Sequence, residues 1–314
     1  MTGVLLSLAP VLGLIVVGYL LKARGVFGAG FWEGAERLTF YVLFPALLLT
    51  SISAARVKGM AILPMAAAMA VATLIMAGLV TWARPALART GLSGPSFAAL
   101  LQGAIRPNTY IGIAVLAALY GKAGLPLAAV AIVAVIPLVN FIGIVAHLRW
   151  ARPLPGGEPA PGPAWGDAVV PALKNPIIIA CLLGAALNAL GLRLPPVLGP
   201  MLEILGRAAL PMGLMAVGAG LDLAAARAAR EPVMIATVLK LVAMPVAVDL
   251  ACRGFGVTDV TRAAAVIFAA LPVSATAYVV SSQLGGDARL MAGIVTATTV
   301  AAAATLPVVV ILVG

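Results

Sequence analysis

The chain has 314 residues, of which 63% are hydrophobic and 10% are charged, and its formal net charge is +10. A soluble domain carries about 25% charged residues, so the 20 basic and 10 acidic residues of this chain are too few to cover a water-exposed surface. This composition excludes a water-soluble enzyme and also a disordered chain. Lysines and arginines stand singly between apolar runs, which favours an orientation signal for membrane insertion over a nucleic-acid surface.

Ten apolar runs, separated by glycine, proline or charged residues, predict an all-α polytopic membrane protein with ten transmembrane helices. The predicted spans are 3–21, 32–52, 61–83, 95–121, 126–147, 168–191, 197–221, 232–252, 261–284 and 288–313. The stretch 148–167 is rich in proline and glycine, which predicts a linker between five spans and five spans.

The prolines indicate an internal duplication. Pro10, Pro45, Pro107 and Pro137 are spaced by 35, 62 and 30 residues, and Pro176, Pro211, Pro272 and Pro307 by 35, 61 and 35. Each unit holds an odd number of spans, so the second must enter the membrane upside down, which is typical of secondary transporters. We therefore predict a first repeat at 1–147 and an inverted second repeat at 168–314.

The distribution of positive charge predicts the orientation in the membrane. With the N-terminus outside, eleven lysines and arginines of the loops and span ends fall in the cytoplasm and seven fall on the other side. This excess favours both termini outside and a cytoplasmic 148–167 linker.

The fourth span contains the most informative segment. Proline at 107 breaks helical geometry, and the preceding residue, Arg106, lies near the middle of the span, where a charge costs about 2.5–3.5 kcal/mol on insertion scales. Irregular backbone is tolerated at that depth only beside a polar cavity or inside protein. Asn108, Thr109 and Tyr110 add hydrogen-bonding groups, and the half-helix that follows should point free N–H groups at an anion. A guanidinium suits a carboxylate by bidentate geometry.

The duplicate position in the ninth span is also interrupted by a proline. It has Pro272 followed by Ser274, Thr276 and Tyr278, with small hydroxyls and no charge. Two interrupted helices at corresponding positions of two inverted halves are the best sequence indication of a midplane substrate site. Asn140, three residues after Pro137, is a further candidate lining residue.

Other polar residues inside spans have alternative interpretations. Lys240, Gln102 and Gln283 are candidates for ion or proton coupling, although a structural role is as plausible for each. His147, Asp249 and Glu203 lie near span ends and are expected at the membrane interface. Five glycines are expected to allow close helix contacts: Gly13, Gly18, Gly184, Gly213 and Gly218.

The run from Arg106 to Gly112, read as Arg-Pro-Asn-Thr-Tyr-Ile-Gly, resembles the fourth-helix motif of bacterial auxin efflux carrier family transporters, relatives of the plant PIN proteins. The segment from Pro272 to Asp287, with Tyr-Val-Val and Gly-Gly-Asp, resembles the ninth helix of this family and the loop after it. Weaker similarities extend the resemblance along the chain: Phe44-Pro45-Ala46-Leu47, Lys174-Asn175-Pro176 and Thr305-Leu306-Pro307.

The resemblance implies a ten-helix fold similar to that of bile acid/sodium symporters and sodium/proton antiporters, with broken crossing helices 4 and 9. It implies scaffold helices 1, 2, 6 and 7, transport helices 3–5 and 8–10, elevator-like alternating access and a homodimer in the cell membrane. The implied substrate is a small organic anion such as auxin, malate or malonate. By residue match, Pro107, Asn108 and Pro272 take the crossover positions of the family.

This chain departs from the family pattern at three positions in two segments. Plant members carry asparagine where this chain has Arg106, which favours a directly charge-paired carboxylate over auxin itself. Ser281 and Ser282 replace an expected Ala-Arg-like pair. The chain also lacks the long cytoplasmic loop of the plant members.

Three alternatives to a simple anion carrier differ in their sequence requirements. A sodium-coupled symporter needs only oxygen ligands, so sodium or a proton is a candidate coupling ion and no other cofactor or metal is expected. A channel should show polar residues along a whole path, whereas the polarity here is concentrated at two segments. An intramembrane enzyme is disfavoured because no HExxH, GxSxG or paired acid occurs.

Overall fold

A computed structural model describes residues 2–55, 61–151, 174–228 and 230–313. Regular structure in these residues is helical, apart from one isolated bridge between two chain segments. The α-helices are Thr2–Ala23, Ala29–Leu38, Phe44–Ser53, Ile62–Trp82, Arg84–Arg89, Gly94–Ile105, Thr109–Tyr120, Gly124–Trp150, Pro176–Ala189, Leu198–Ala219, Leu223–Ala228, Arg230–Val238, Met244–Gly254, Asp259–Ala269, Thr276–Gln283 and Ala288–Val313.

Seven helical stretches among the described residues are long and apolar enough to cross a membrane. Large apolar side chains on their outer faces, such as Leu6, Leu74 and Leu312, are exposed, as expected for surfaces that meet hydrocarbon. The protein is therefore a multi-pass membrane protein, and its described part is helical. The other predicted spans fall on shorter helices, so ten crossings and the two repeats stay predictions. Most of the predicted linker, 148–167, lies outside the described residues.

Two helical stretches contain a π-helical turn immediately before a proline. The turns are Thr39–Leu43, before Phe44-Pro45, and Leu239–Ala243, before Met244-Pro245. A proline ring clashes with the carbonyl four residues earlier, and the wider π turn relieves that clash without ending the helix.

The helices pack in two groups. The first group consists of Thr2–Ala23, Phe44–Ser53, Pro176–Ala189 and Leu198–Ala219, which pack on one another, with Ala29–Leu38 against the last of them. In the second group, Ile62–Trp82 packs against Gly124–Trp150 and Met244–Gly254. This group also includes two pairs of helices, each pair separated by a short non-helical segment, at 106–108 and at 270–275. The other second-group contacts include Gly94–Ile105 with Gly124–Trp150, and Asp259–Ala269 and Thr276–Gln283 with Ala288–Val313.

Glycines set the closest contacts of the first group. A side chain at Gly18 would overlap the backbone of Met215, and one at Gly218 would overlap the backbone of Ile15. Gly184 lies against Ile52 and the Leu49 carbonyl, and Gly213 lies against the Phe44 ring. Four of the five glycines predicted to allow close helix contact therefore do so.

Gly13 makes no close helix contact, whereas the contacts of Gly18 and Gly184 are related by a constant shift in residue number. A methyl group at Gly13 would meet no atom within 4 Å, so the prediction of a close contact was wrong for that position. Gly18 contacts Met215, and Gly184 contacts Leu49. Gly184 lies 166 residues after Gly18, and Met215 lies 166 residues after Leu49, so the second contact repeats the first with the two partners exchanged between the halves. This is the pattern that a duplication would produce.

Candidate functional site

Two interrupted helices of the second group cross each other, and the half-helix Thr109–Tyr120 also contacts the first group. The first break lies at 106–108, between Gly94–Ile105 and Thr109–Tyr120, and the second at 270–275, between Asp259–Ala269 and Thr276–Gln283. Pro107 and Val273 form an antiparallel bridge, and the Asn108 N–H donates to the Pro272 carbonyl at 2.8 Å. The two breaks thus satisfy part of each other's backbone hydrogen-bonding capacity, which buried irregular backbone requires.

Other groups complete the hydrogen bonding of the breaks. The Val273 N–H donates to Oγ1 of Thr298, on the helix Ala288–Val313, at 3.1 Å. Asn108 has extended backbone geometry and caps the helix Thr109–Tyr120, because its Oδ1 accepts from the Tyr110 and Ile111 N–H groups at 3.1 and 3.2 Å. The expectation of free N–H groups at this helix start was therefore wrong for these two amides. The N-cap side chain takes them, although the helix dipole still ends at the crossing.

Arg106 is buried at the first break, with 7% of its surface exposed. Its Nη2 donates to Oγ1 of Thr276, at the start of the half-helix after the second break, at 3.0 Å. Its Nη1 is buried without a hydrogen-bond partner, and no carboxylate of the described residues lies within 4 Å of the guanidinium. A full positive charge therefore faces the crossing with unused donor capacity.

A cavity of about 180 Å³ opens beside Arg106. Seven of the ten predicted substrate residues line it: Arg106, Pro107, Thr109, Tyr110, Asn140, Ser274 and Thr276. The remaining lining residues are Phe40, Ile132, Ile136, Asn175 and Ile177. One cationic head, several hydroxyl and amide groups and an apolar wall give this cavity the chemistry of a site for a small anion with an apolar body.

The structure places the other three predicted substrate residues outside this cavity. Asn108 and Pro272 form the crossing itself, and Asn108 lines a smaller neighbouring cavity with Tyr110, Ser274 and Thr276. Tyr278 is 46% exposed and lines neither cavity.

The coupling candidates lie at three different places. Lys240 has no exposed surface, and its Nζ donates to the Ala269 carbonyl, at the end of the half-helix before the second break, at 2.6 Å. Gln102, one helical turn before Arg106, is buried against Gly143. Neither its Oε1 nor its Nε2 has a hydrogen-bond partner in the described part of the chain. Gln283 is exposed at the end of its helix.

The side chain of His147 is buried inside the protein and makes specific polar contacts. Its ring is fully buried, with Nδ1 2.7 Å from the Gly143 carbonyl and Nε2 2.9 Å from Oγ of Ser281. The carbonyl can only accept, so Nδ1 carries a proton, and in the neutral ring Nε2 accepts from the Ser281 hydroxyl. Gly286 leaves the space for the ring, because a Cβ there would lie 2.6 Å from it.

The sequence analysis missed three residues that lie at the crossing. Phe40 and Asn175 line the larger cavity, and Glu36 lines the smaller one. Glu36 lies inside a predicted span, and an acidic residue at such a position indicates a candidate functional residue. Asn175 precedes Pro176 and caps the next helix by accepting from the Ile177 N–H at 2.9 Å, a pattern that predicts a helix start rather than a site.

A multi-pass membrane protein with a charged cavity between interrupted helices belongs to the class of membrane transporters. In agreement, residues 167–310 match the family described as membrane transport protein. An uncharacterized transporter of Methanothermobacter thermautotrophicus (strain Delta H) is 26% identical over 313 residues, covering 96% of this chain and 95% of the relative. With the crossover motifs at 106–112 and 272–287, these matches support the resemblance of the chain to auxin efflux carrier family transporters.

Proposed function

We propose that this protein is a secondary-type transporter of a small organic carboxylate, which binds in the cavity beside Arg106. The observation that supports this most strongly is the buried guanidinium without a carboxylate partner among the described residues. Burying an unpaired charge destabilises the folded protein, and arginine keeps its charge because it does not lose its proton at neutral pH. A carboxylate ligand would neutralise it through hydrogen bonds to both ends of the fork.

The proposed roles of the other residues follow from their contacts. Thr276 orients the guanidinium, Ser274 lies 2.9 Å from the Thr276 hydroxyl, and Asn108 fixes the start of the helix beneath the site. Asn140 and Thr109 supply further polar groups on the cavity wall. The apolar side of the cavity would hold the hydrocarbon part of the substrate.

We infer an alternating-access mechanism of the elevator type from the position of the cavity between the two helix groups. Phe40, Asn175 and Ile177 line it from the first group or from segments beside it, whereas Arg106 and Thr276 line it from the second. Movement of the second group along the first would carry the bound anion across the membrane while Phe40 and its neighbours stay behind. Ten crossings in two inverted repeats, both termini outside the cell and a homodimer complete this proposal.

Sodium coupling is the main alternative, since broken helices can offer carbonyl oxygens to sodium. The Ala269 carbonyl, at the end of a half-helix, already accepts from the Lys240 ammonium. With Lys240 bound to it, this oxygen is not free to coordinate sodium, which favours anion transport without sodium.

A thermal-shift screen of the purified full-length protein tests the proposal. Acetate, malonate, malate and indole-3-acetate are added in sodium chloride and in potassium chloride. We expect at least one carboxylate to raise the melting temperature equally in both salts, because a ligand of the native state stabilises it. A shift that needs sodium would support the symporter, and no shift with any carboxylate would contradict an organic-anion site.

A further inference from the structure

His147, the one histidine of the chain, is connected to Arg106 through Gln102 and Gly143. The Arg106 N–H donates to the Gln102 carbonyl at 3.0 Å, and the Gln102 side chain packs against Gly143. The Gly143 carbonyl in turn lies 2.7 Å from Nδ1 of His147. In agreement with this short path, the charge of Arg106 acts on the ring of His147.

No acid balances a positive charge at either end of this path. In the described part of the chain, neither Arg106 nor His147 has a carboxylate within 4 Å. The Gln102 amide is neutral, buried and without a hydrogen-bond partner among these residues. Two positive charges in such poorly solvated surroundings repel each other strongly. A second positive charge, on His147, therefore becomes easier to accommodate when an anion neutralises the guanidinium.

Both nitrogens of the His147 ring already have the partners that an imidazolium needs. In the neutral ring, Nδ1 donates to the Gly143 carbonyl and Nε2 accepts from the Ser281 hydroxyl at 2.9 Å. After protonation, Nε2 would donate to the same oxygen, because a serine hydroxyl can turn its own hydrogen to the carbonyl of the preceding helical turn. Protonation therefore leaves no ring nitrogen without a partner.

The other ionisable groups around the helix of His147 are neutral, exposed or paired. On this helix and on the described elements that pack against it, they are Tyr110, Tyr120, Lys122, Arg149, Cys181, Asp259, Arg262 and Tyr278. The tyrosines and the cysteine are neutral near pH 7. Lys122, Arg149 and Asp259 are exposed, and Arg262 pairs with an aspartate. Arg106 is therefore the buried charge that ligand binding can change.

The ring also lies where a proton can reach it. His147 is in the last turn of its helix, against Gly286, and the neighbouring Gly285 is exposed. Asp287, the next acid along this loop, accepts from the Ser96 hydroxyl at 2.8 Å. The helix of His147 belongs to the second group, as Arg106 does. A proton on His147 would enter near the end of the helix and then move together with the anion.

From these observations we propose that His147 is the proton site of this transporter and takes up one proton when a carboxylate binds beside Arg106. The proton passes from water to Nε2 of the ring and is released when the anion leaves. The coupling rests on the proposed function, whereas the electrostatic link between Arg106 and His147 does not. In this scheme a monocarboxylate is transported without net movement of charge.

Nuclear magnetic resonance with isotope-labelled histidine tests the link in the full-length, ligand-free protein. With a histidine-free affinity tag, the ring signal belongs to His147 alone. Arg106→Gln removes the charge that an anion would neutralise, so the midpoint of the ring titration should lie about one pH unit higher than in the wild type. Arg89→Gln, which removes an exposed positive charge, is the matched control and should leave the midpoint unchanged. A ring that titrates at the same pH in the wild type and Arg106→Gln, or in neither, would overturn the proposal.

Binding measurements at two pH values test the coupling. Acetate, malonate, malate and indole-3-acetate are titrated calorimetrically into the protein at about pH 6.5 and about pH 8, a range in which histidine can change its charge. Because binding takes up a proton, the Kd of the wild type should be about tenfold lower at the lower pH. His147→Asn, which can still donate to the Gly143 carbonyl, should have the same Kd at both. Equal pH dependence in His147→Asn and the wild type contradicts the coupling.

A second pair of variants keeps the histidine in place. Ser281→Ala removes the oxygen that would accept from the protonated ring, so its Kd should vary less with pH than that of the wild type. Ser282→Ala, an exposed change at the next position, should behave like the wild type. The same pH dependence in both serine variants would contradict the proposed position of the proton.

The failures of the two proposals are distinguishable. If none of the four carboxylates binds at either pH, the proposed function is wrong, but the histidine signal still reports the electrostatic link. If a carboxylate binds with a Kd that does not depend on pH, the proposed function stands and the role of His147 is wrong.

Discussion

At the scale of single residues, the account depends on how Arg106 is held. Its Nη2 is held by Thr276 at 3.0 Å, and its Nη1 has no hydrogen-bond partner among the described residues. Such a side chain is oriented and still chemically unsatisfied, which is what a binding group needs before its ligand arrives. The sequence predicted Arg106 and Thr276 separately, since each lies beside a helix-breaking proline, but it could not show that they meet.

Removal of the Thr276 hydroxyl should weaken anion binding without unfolding the protein. In Thr276→Val, Arg106 loses the bond that orients it, and hydrogen bonds to charged groups contribute about 1.5–3 kcal/mol. We expect a rise of about tenfold or more in the Kd for the carboxylate that stabilises the wild type, measured by isothermal titration. Thr305→Val is the control, because the Thr305 hydroxyl is buried and has no hydrogen-bond partner in the described part of the chain. Equal Kd values for Thr276→Val and the wild type would show that this bond has no role in binding.

At the scale of helices, the breaks and the caps were predictable because their causes are local. Proline at 107 and 272 interrupts the helix at its own position, and the structure has breaks at both. His147 and Glu36 were not predictable in this way. Their surroundings depend on Gly286, Ser281 and Thr276, which lie more than 130 residues away in the chain.

Loss of the Asn108 cap should affect both stability and binding. Asn108→Ala leaves the Tyr110 and Ile111 amides without their acceptor, and N-cap removal typically costs about 1 kcal/mol. We expect a lower melting temperature and weaker anion binding. Ser93→Ala removes a cap from Gly94–Ile105, where Ser93 Oγ accepts from the Ser96 N–H, and should lower stability only. A variant Asn108→Ala that binds as well as Ser93→Ala would argue against a role of this helix start in the site.

The glycine contacts between Thr2–Ala23 and Leu198–Ala219 predict a sharp difference between two alanine variants. Gly218→Ala would place a methyl group on the Ile15 carbonyl, so the two helices must separate. Gly13→Ala meets no atom within 4 Å. We expect a clearly lower melting temperature or loss of folded protein for Gly218→Ala and near wild-type stability for Gly13→Ala, measured in detergent. Similar melting curves for the two variants would contradict this packing.

At the scale of the whole molecule, composition and hydropathy defined the protein class, and the proline spacing predicted which helices would cross. The described residues have a multi-pass helical architecture, and the comparisons support a membrane transporter. The inverted repeat stays a prediction that the matched contacts of Gly18 and Gly184 support. The cavity walls were less predictable, because they combine residues from both halves and depend on how the two helix groups pack.

Transport measurements distinguish a carrier from a channel. A site that is reached alternately from two sides should give a flux that saturates with substrate concentration and is stimulated by substrate on the opposite side. We expect both behaviours for a carboxylate in proteoliposomes that contain the full chain. A flux that rises linearly with concentration and shows no counterflow would favour a channel.

The most direct measurement is carboxylate binding to purified Arg106→Ala, beside the wild type, Arg106→Lys and the exposed control Arg89→Ala. The account predicts saturable binding by the wild type and Arg89→Ala, weaker binding by Arg106→Lys, and none by a folded Arg106→Ala protein. Unchanged affinity in Arg106→Ala would contradict it.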